Sequence, residues 1–187
     1  MDKKELRKEI KKKLDALTFL EHAQNSYLTA STLFSTPEWK NAHTIGITVS
    51  NSPELDTWSI IKRAWDEGKR AAVPKCLPEN KEMVFKHLTA FTDLERVFFG
   101  LYEPKECTTA IQKGGIDLMI VPGLAYQKNG FRIGFGGGYF DRYLSDFEGS
   151  TVSLAFKEQI VESLPVESFD IPVQKIIVER EVIDCRD

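Results

Sequence analysis

The sequence predicts an α/β protein, with three layers (α/β/α) around a mainly parallel or mixed central sheet. Three features point there. Short apolar runs rich in β-branched residues recur along the chain, each bounded by turn or helix signals, as buried strands are. Amphipathic helical segments lie between several of these runs, and parallel neighbours need crossover connections of that kind. No internal repeat, low-complexity linker or shift of composition divides the chain, so residues 1–187 read as one domain.

The elements are justified in order by spacing. Leu6, Ile10, Leu14 and Leu17 form one apolar stripe on a helix with a period of about 3.6 residues. Thr18 precedes Glu21 in the capping-box arrangement, where hydroxyl and carboxylate satisfy exposed backbone donors, so a second helix is predicted over 19–34 and Pro37 closes it. Strands are predicted over 44–49, 71–73, 83–86, 118–121, 152–155 and 176–178. Helices are predicted over 57–67, 108–113 and 139–144.

Composition narrows the function. Hydrophobic residues make up 42% of the chain, enough for a core, which excludes a disordered or collagen-like protein. No run approaches the roughly 18 apolar residues of a membrane span, and no apolar segment comes after the charged N-terminal stretch as in a secretory signal. A soluble, cytoplasmic protein is expected. With 25 Lys+Arg against 28 Asp+Glu the net charge is -3, so neither nucleic acid nor a membrane surface is expected as a partner. Cys76, Cys107 and Cys185 are odd in number and lack the close pairs of zinc or redox motifs, which suits a reducing compartment. His22, His43 and His87 lack ligand spacing.

Ligands of open α/β sheets bind beyond the carboxyl ends of the strands, which directs attention to the segment after Val121. Gly134, Gly136, Gly137 and Gly138, with Phe135 among them, stand directly before a helical segment. Glycine lets backbone N–H groups converge on an anion, and a helix N-terminus adds partial positive charge; phosphate fits such a cradle. Arg132 can pair with phosphate oxygens, and Asp141 can hold the magnesium that accompanies a nucleotide. Neither common phosphate motif fits, because a Walker loop needs Gly-Lys-Ser/Thr and Tyr139 stands where the dinucleotide fingerprint needs glycine. A flexible turn or tight strand-to-helix packing is the alternative.

Pro122-Gly123-Leu124-Ala125, Gly130, Arg132, Gly134 and the run from Gly136 to Leu144 resemble the signature of the 5-formyltetrahydrofolate cyclo-ligase family, also called methenyltetrahydrofolate synthetases. The similarity extends through Lys3 to Arg7, Ser50 to Thr57, Gly100 to Pro104, Ala155 to Gln159, Leu164-Pro165 and Asp170. The resemblance implies ATP- and magnesium-dependent closure of 5-formyltetrahydrofolate to 5,10-methenyltetrahydrofolate, with release of ADP and phosphate. The formyl oxygen attacks the γ-phosphate to give a phosphorylated, imidate-like intermediate, and the second folate nitrogen closes the ring. The substrate supplies its own nucleophile, which accounts for a sequence with no Ser-His-Asp set. A monomer or weak homodimer is expected.

The resemblance also assigns roles. Lys3, Arg7, Arg132, Ile133, Gly134, Phe135, Gly136, Gly137, Gly138, Tyr139 and Phe140 would bind ATP; Arg132 and Tyr139 would act in catalysis. Asn51, Glu54, Asp56, Phe99 and Tyr139 would contact the folate, and Asp141 and Asp170 the magnesium. Plainer readings stand beside these: Lys3 and Arg7 as a basic helix face, Arg132 as a surface arginine, Asp56 as a helix cap, Asp141 as a cap or partner of Arg142, and Asp170 as a turn cap before Pro172. Tyr126-Gln127 and Phe140 depart from the family's usual Phe-Asp and tyrosine. A non-catalytic folate or nucleotide binder, or another small-molecule enzyme on the same scaffold, are the competing readings.

Overall fold

A computed structural model describes residues 1–186. Helix α1 (Lys3–Asp15) opens on Asp2, whose carboxylate accepts from Glu5 N while Glu5 Oε2 accepts from Asp2 N. The Thr18/Glu21 box stands at the start of α2 (Phe19–Ser35), with bonds of 3.1 and 2.9 Å. Pro37 also begins a helix of its own, α3 (Pro37–Asn41), because a first-turn N–H has no intrahelical acceptor and its loss costs nothing. Next come β1 (Thr44–Gly46), α4 (Trp58–Asp66), β2 (Arg70–Leu77), β3 (Glu82–Leu88), β4 (Leu94–Arg96), β5 (Tyr102–Pro104), β6 (Ala110–Ile111) and β7 (Leu118–Ile120). The chain ends with β8 (Ala125–Gln127), β9 (Arg132–Ile133), α5 (Tyr139–Leu144), β10 (Ser150–Ala155), β11 (Ile160–Val161), β12 (Lys175–Val178) and β13 (Glu181–Asp184).

The main sheet has the order β13-β12-β10-β7-β1-β2-β3-β6. Neighbours from β12 to β2 are parallel, and β13 at one end and β3 and β6 at the other are antiparallel, so the α/β sheet is mixed with a parallel centre. The helix expected over 108–113 does not form. Ala110 and Ile111 pair with Lys86 and Phe85 as an edge strand instead, and a 3-10 turn comes after them at Lys113–Gly115. Thr108, Thr109 and Ile111 are β-branched and Gly114-Gly115 come directly after, so local propensity favours extended chain there.

Period-two alternation divides the core between the two sheet faces. Ile45, Ala71, Val73, Leu118, Ile120, Val152, Leu154 and Ile177 pack with residues of α1 to α4, including Ile10, Leu33, Trp39, Ile60 and Ile61. Ile10, Ile60 and Ile61 are each fully buried, a contribution of about 2–3 kcal/mol apiece. Ala72, Met119, Val121, Ala155, Ile176 and Val178 pack on the other side with Tyr143 and Leu144 of α5 and with Ile116 and Val173 from loops. The two helical layers are therefore unequal, four helices against one of six residues. Among the described residues no helix is long and apolar enough to cross a membrane.

Candidate functional site

Beyond the carboxyl ends of β1 and β7, and along the outer half of β2, lies a cleft of about 590 Å³, a size usual for small-molecule sites. Helix α1 brings two cations to it. Leu6, Ile10 and Leu14 seat the helix on the core, which turns Lys3 and Arg7 toward the cleft and leaves Lys4, Lys8, Lys11, Lys12 and Lys13 exposed. Lys3 Nζ donates to Glu167 Oε2 at 2.7 Å and Asp170 Oδ2 at 3.3 Å. Burial works against its charge, but these two carboxylates outweigh that and hold its pKa above the usual lysine value, so it stays an ammonium. Arg7 Nε donates to Gly134 O at 2.9 Å, tying the helix to the glycine loop.

The loop itself leaves from β9. Gly136 has φ +109, a backbone conformation that any side chain would strain, and it lies in ordinary contact with the Arg7 guanidinium, to which a Cβ would stand at 3.8 Å. Helix α5 spans the six residues expected for it, with Gly138 at its N-cap, and Lys3, Arg7 and Arg132 are the cationic side chains that line the cleft beside the loop.

Arg132 is no surface arginine: it is 7% exposed. Nε donates to Pro122 O at 3.2 Å, and Nη1 donates to Asp141 Oδ1 at 3.2 Å and Ile171 O at 3.1 Å. These bonds leave the Nη2 side of the fork for a ligand. Asp141 Oδ1 also accepts from Ile171 N, and Asp170 Oδ2 accepts from Glu167 N at 2.8 Å as well as from Lys3. Asp141 thus pairs with Arg132 rather than Arg142, and Asp170 caps the 167–170 turn while lining the cleft. Among the described residues no three His, Cys, Asp or Glu side chains form a metal cluster. Two separate cleft carboxylates suit a magnesium ion that arrives on a triphosphate, which needs one or two carboxylates besides phosphate oxygens and water.

The opposite wall is the loop after β1. Ser50 N donates to Thr57 Oγ1 and Thr57 N to Ser50 Oγ, both at 2.9 Å, and Trp58 Nε1 donates to Ser50 O at 2.9 Å. Glu54, held in that loop, accepts from Asn51 N at 2.8 Å, and burial raises its carboxyl pKa against the opposing effect of that bond. His22 Nε2 lies 2.7 Å from Glu54 O; a carbonyl only accepts, so the imidazole carries its proton on Nε2.

Nearly all the expected site residues meet here: Lys3, Arg7, Glu54, Phe99, Arg132, Ile133, Gly134, Phe135, Gly136 to Gly138, Tyr139, Phe140, Asp141 and Asp170 line one cleft. Asn51 and Asp56 are not among its lining residues. Asp56 accepts from Trp58 N at 2.9 Å and Ser59 Oγ at 2.6 Å; the N-cap of α4 is Thr57, so Asp56 holds the helix start from one residue before the cap position expected of it. Asn51 serves through its backbone N–H, which orients Glu54. Phe99, at φ +59 and fully exposed, stands at the rim, and Phe140 packs edge-on to Phe85 at 6.4 Å. Gln127 lies on β8 away from the cleft, and the Tyr126 phenol is buried with its pKa pushed up by burial.

Sequence reasoning missed several lining residues. Glu167 and Phe169 hold Lys3 from beside Asp170, the ring 5.7 Å from Nζ. Glu103 Oε2 accepts from Cys76 N at 2.9 Å; burial first, then Glu103, pushes the Cys76 thiol up to about 12, leaving it unreactive. Glu103 falls inside the Gly100 to Pro104 segment that the family resemblance already singled out, which was the one signal available.

The sequence pattern of the 5-formyltetrahydrofolate cyclo-ligase family matches residues 1–179. The mouse 5-formyltetrahydrofolate cyclo-ligase is 32% identical over 95% of this chain and 93% of its own, and the Escherichia coli K12 enzyme of that name 29% over 92% and 98%. An NMR structure of Aquifex aeolicus 5,10-methenyltetrahydrofolate synthetase, 32% identical, superposes with a TM-score of 0.87 over 100% of this chain and 94% of that one. A Mycoplasma pneumoniae synthetase structure, 23% identical, shares the fold at 0.77 over 97% of this chain and all of that one. Sequence match, superposition and a cleft that unites the motif with its distant partners agree, and the chain belongs to the 5-formyltetrahydrofolate cyclo-ligase family.

Proposed function

We propose that the cleft binds ATP with magnesium beside 5-formyltetrahydrofolate and closes the folate to 5,10-methenyltetrahydrofolate, releasing ADP and phosphate. The observation that carries this reading is the convergence of Lys3, Arg7 and Arg132 with the glycine loop at one side of a cleft whose other wall holds the half-buried Glu54. Three cations suit a triphosphate, and Glu54 can accept hydrogen bonds from the amino and amide groups of a pterin. Asp141 and Asp170 are the residues that would hold the magnesium, which would neutralise charge on the phosphates.

In this scheme the formyl oxygen attacks the γ-phosphorus, and the bond to the bridging oxygen breaks to release ADP. The second folate nitrogen then attacks the formyl carbon and phosphate departs. The chain supplies position and charge rather than a nucleophile: Arg132, locked on three partners, needs no reorganisation to meet charge on the transferring group. Tyr139 and Phe99 offer aromatic faces to the bases at the cleft wall and rim. Near-ultraviolet absorbance of the methenyl product, measured with protein, 5-formyltetrahydrofolate, ATP and magnesium and with each omitted in turn, tests the reading. A rise that needs all of them is expected; ATP binding without any rise would refute it.

A further inference from the structure

Residues 122–124 form a short bridge from β7 to β8, with Pro122 lining the cleft, and their backbone is held from two sides. On one side Arg132 Nε donates to Pro122 O at 3.2 Å, and Leu124 N donates to Ile133 O at 2.7 Å. On the other stands Gln159, 5% exposed, which does not line the cleft and to which the cyclo-ligase reading gives no role. Its Nε2 donates to Gly123 O at 3.2 Å and to Leu124 O at 3.1 Å, and its Oε1 accepts from Phe156 N at 2.8 Å. Both amide hydrogens and the carbonyl are therefore employed, two on the bridge and one on the end of β10. A carboxylate in this place could not donate, and an apolar side chain would take the partner from the half-buried Gly123 O and from the buried Leu124 O and Phe156 N.

We propose that Gln159 is a positioning residue for phosphoryl transfer, setting the Arg132 guanidinium through the carbonyl of Pro122. The proposal rests on the cyclo-ligase reading. Gln159 fixes the two peptide planes after Pro122, those planes fix where the Pro122 oxygen points, and that oxygen holds Nε of Arg132. With Nη1 already on Asp141 and Ile171, a rotation of the Pro122 carbonyl tilts the fork away from its ligand-facing pose. Small errors of placement at a charge-stabilising group are felt in the rate, not in ground-state binding of a substrate it meets only in the transition state.

The test is a double-mutant cycle. Gln159→Met should lower kcat roughly tenfold or more with KM for 5-formyltetrahydrofolate within about threefold of the parent. In an Arg132→Lys background, which has no Nε to meet Pro122, the same change should cost less than about twofold. Equal cost in both backgrounds would overturn the proposal, since a general structural role is additive. Should Gln159→Met fail to fold, Gln159→Asn, which keeps an amide, carries the same cycle. A second measurement stands apart from activity: the Arg132 Nε–H resonance of nitrogen-15-labelled protein, assigned by its loss in Arg132→Lys. It should shift and lose exchange protection in the Gln159 variant, and an unchanged resonance would overturn the proposal even if the parent protein showed no folate turnover, an outcome that would sink the functional reading instead.

Discussion

At the scale of single residues, burial decides what a substitution costs. Arg132 is closed in with Asp141, Pro122 and Ile171, so Arg132→Ala removes both the phosphate-facing charge and the partner of a half-buried carboxylate. Breaking such a pair costs roughly 3 kcal/mol, reduced here because Asp141 keeps Ile171 N and some solvent. Arg132→Ala should therefore lose stability in urea unfolding as well as turnover, whereas Arg132→Lys should keep most of the stability and still lose about a hundredfold in kcat. Glu54 makes a different prediction. Its folded-state pKa lies above the ordinary value, so the protonated form is the one the fold prefers. Below the ordinary value both folded and unfolded chains are protonated and the site costs nothing; as pH rises through the raised pKa, stability is lost. Glu54→Gln keeps an acceptor for Asn51 N without the charge, so its melting temperature should match the parent near pH 4 and exceed it at pH 7, while affinity for the folate falls. A variant less stable than the parent at pH 7 would contradict the burial argument.

At the scale of elements, the first turn of α1 is where a local signal and the site coincide. Asp2 caps the turn that carries Lys3, and Arg7 stands one turn later. Asp2→Ala should cost about 1 kcal/mol of stability and, by fraying that turn, raise KM for ATP several-fold with a smaller change in kcat; Asp2→Ser should restore both. Capping boxes are readable in a sequence because their donors and acceptors lie within four residues. For edge strand β6 the β-branched Thr108, Thr109 and Ile111 favour extended chain, but which strand Ala110 and Ile111 join is set by Phe85 and Lys86, more than twenty residues upstream. A six-residue pattern cannot announce such a partner. The glycine loop and its helical neighbour α5 were legible, but the bond that ties the loop to α1, Arg7 Nε to Gly134 O, joins residues 127 apart and no local pattern announces it.

For the whole molecule, a ligand that joins α1, the loop after β9 and the 167–170 turn should stabilise all three together. ATP with magnesium at about a hundred times its Kd should add about 2.7 kcal/mol, a rise of roughly 5–10 °C in Tm for a chain of this size. Differential scanning fluorimetry in Lys3→Ala should show that shift reduced by at least half; an undiminished shift would place the triphosphate elsewhere. The α/β class, the Thr18/Glu21 capping box, the apolar stripe of α1 and the glycine loop were determined by the sequence alone, since each depends on neighbours within a turn or a strand. So was the family resemblance, whose motifs are contiguous. Only the tertiary structure decided that Glu54 faces the cleft, that Lys3 rests on Glu167 and Asp170, and that Gln159 braces the bridge behind Arg132. Those contacts join residues that spacing cannot relate, and they exist only once the sheet and its two faces have closed.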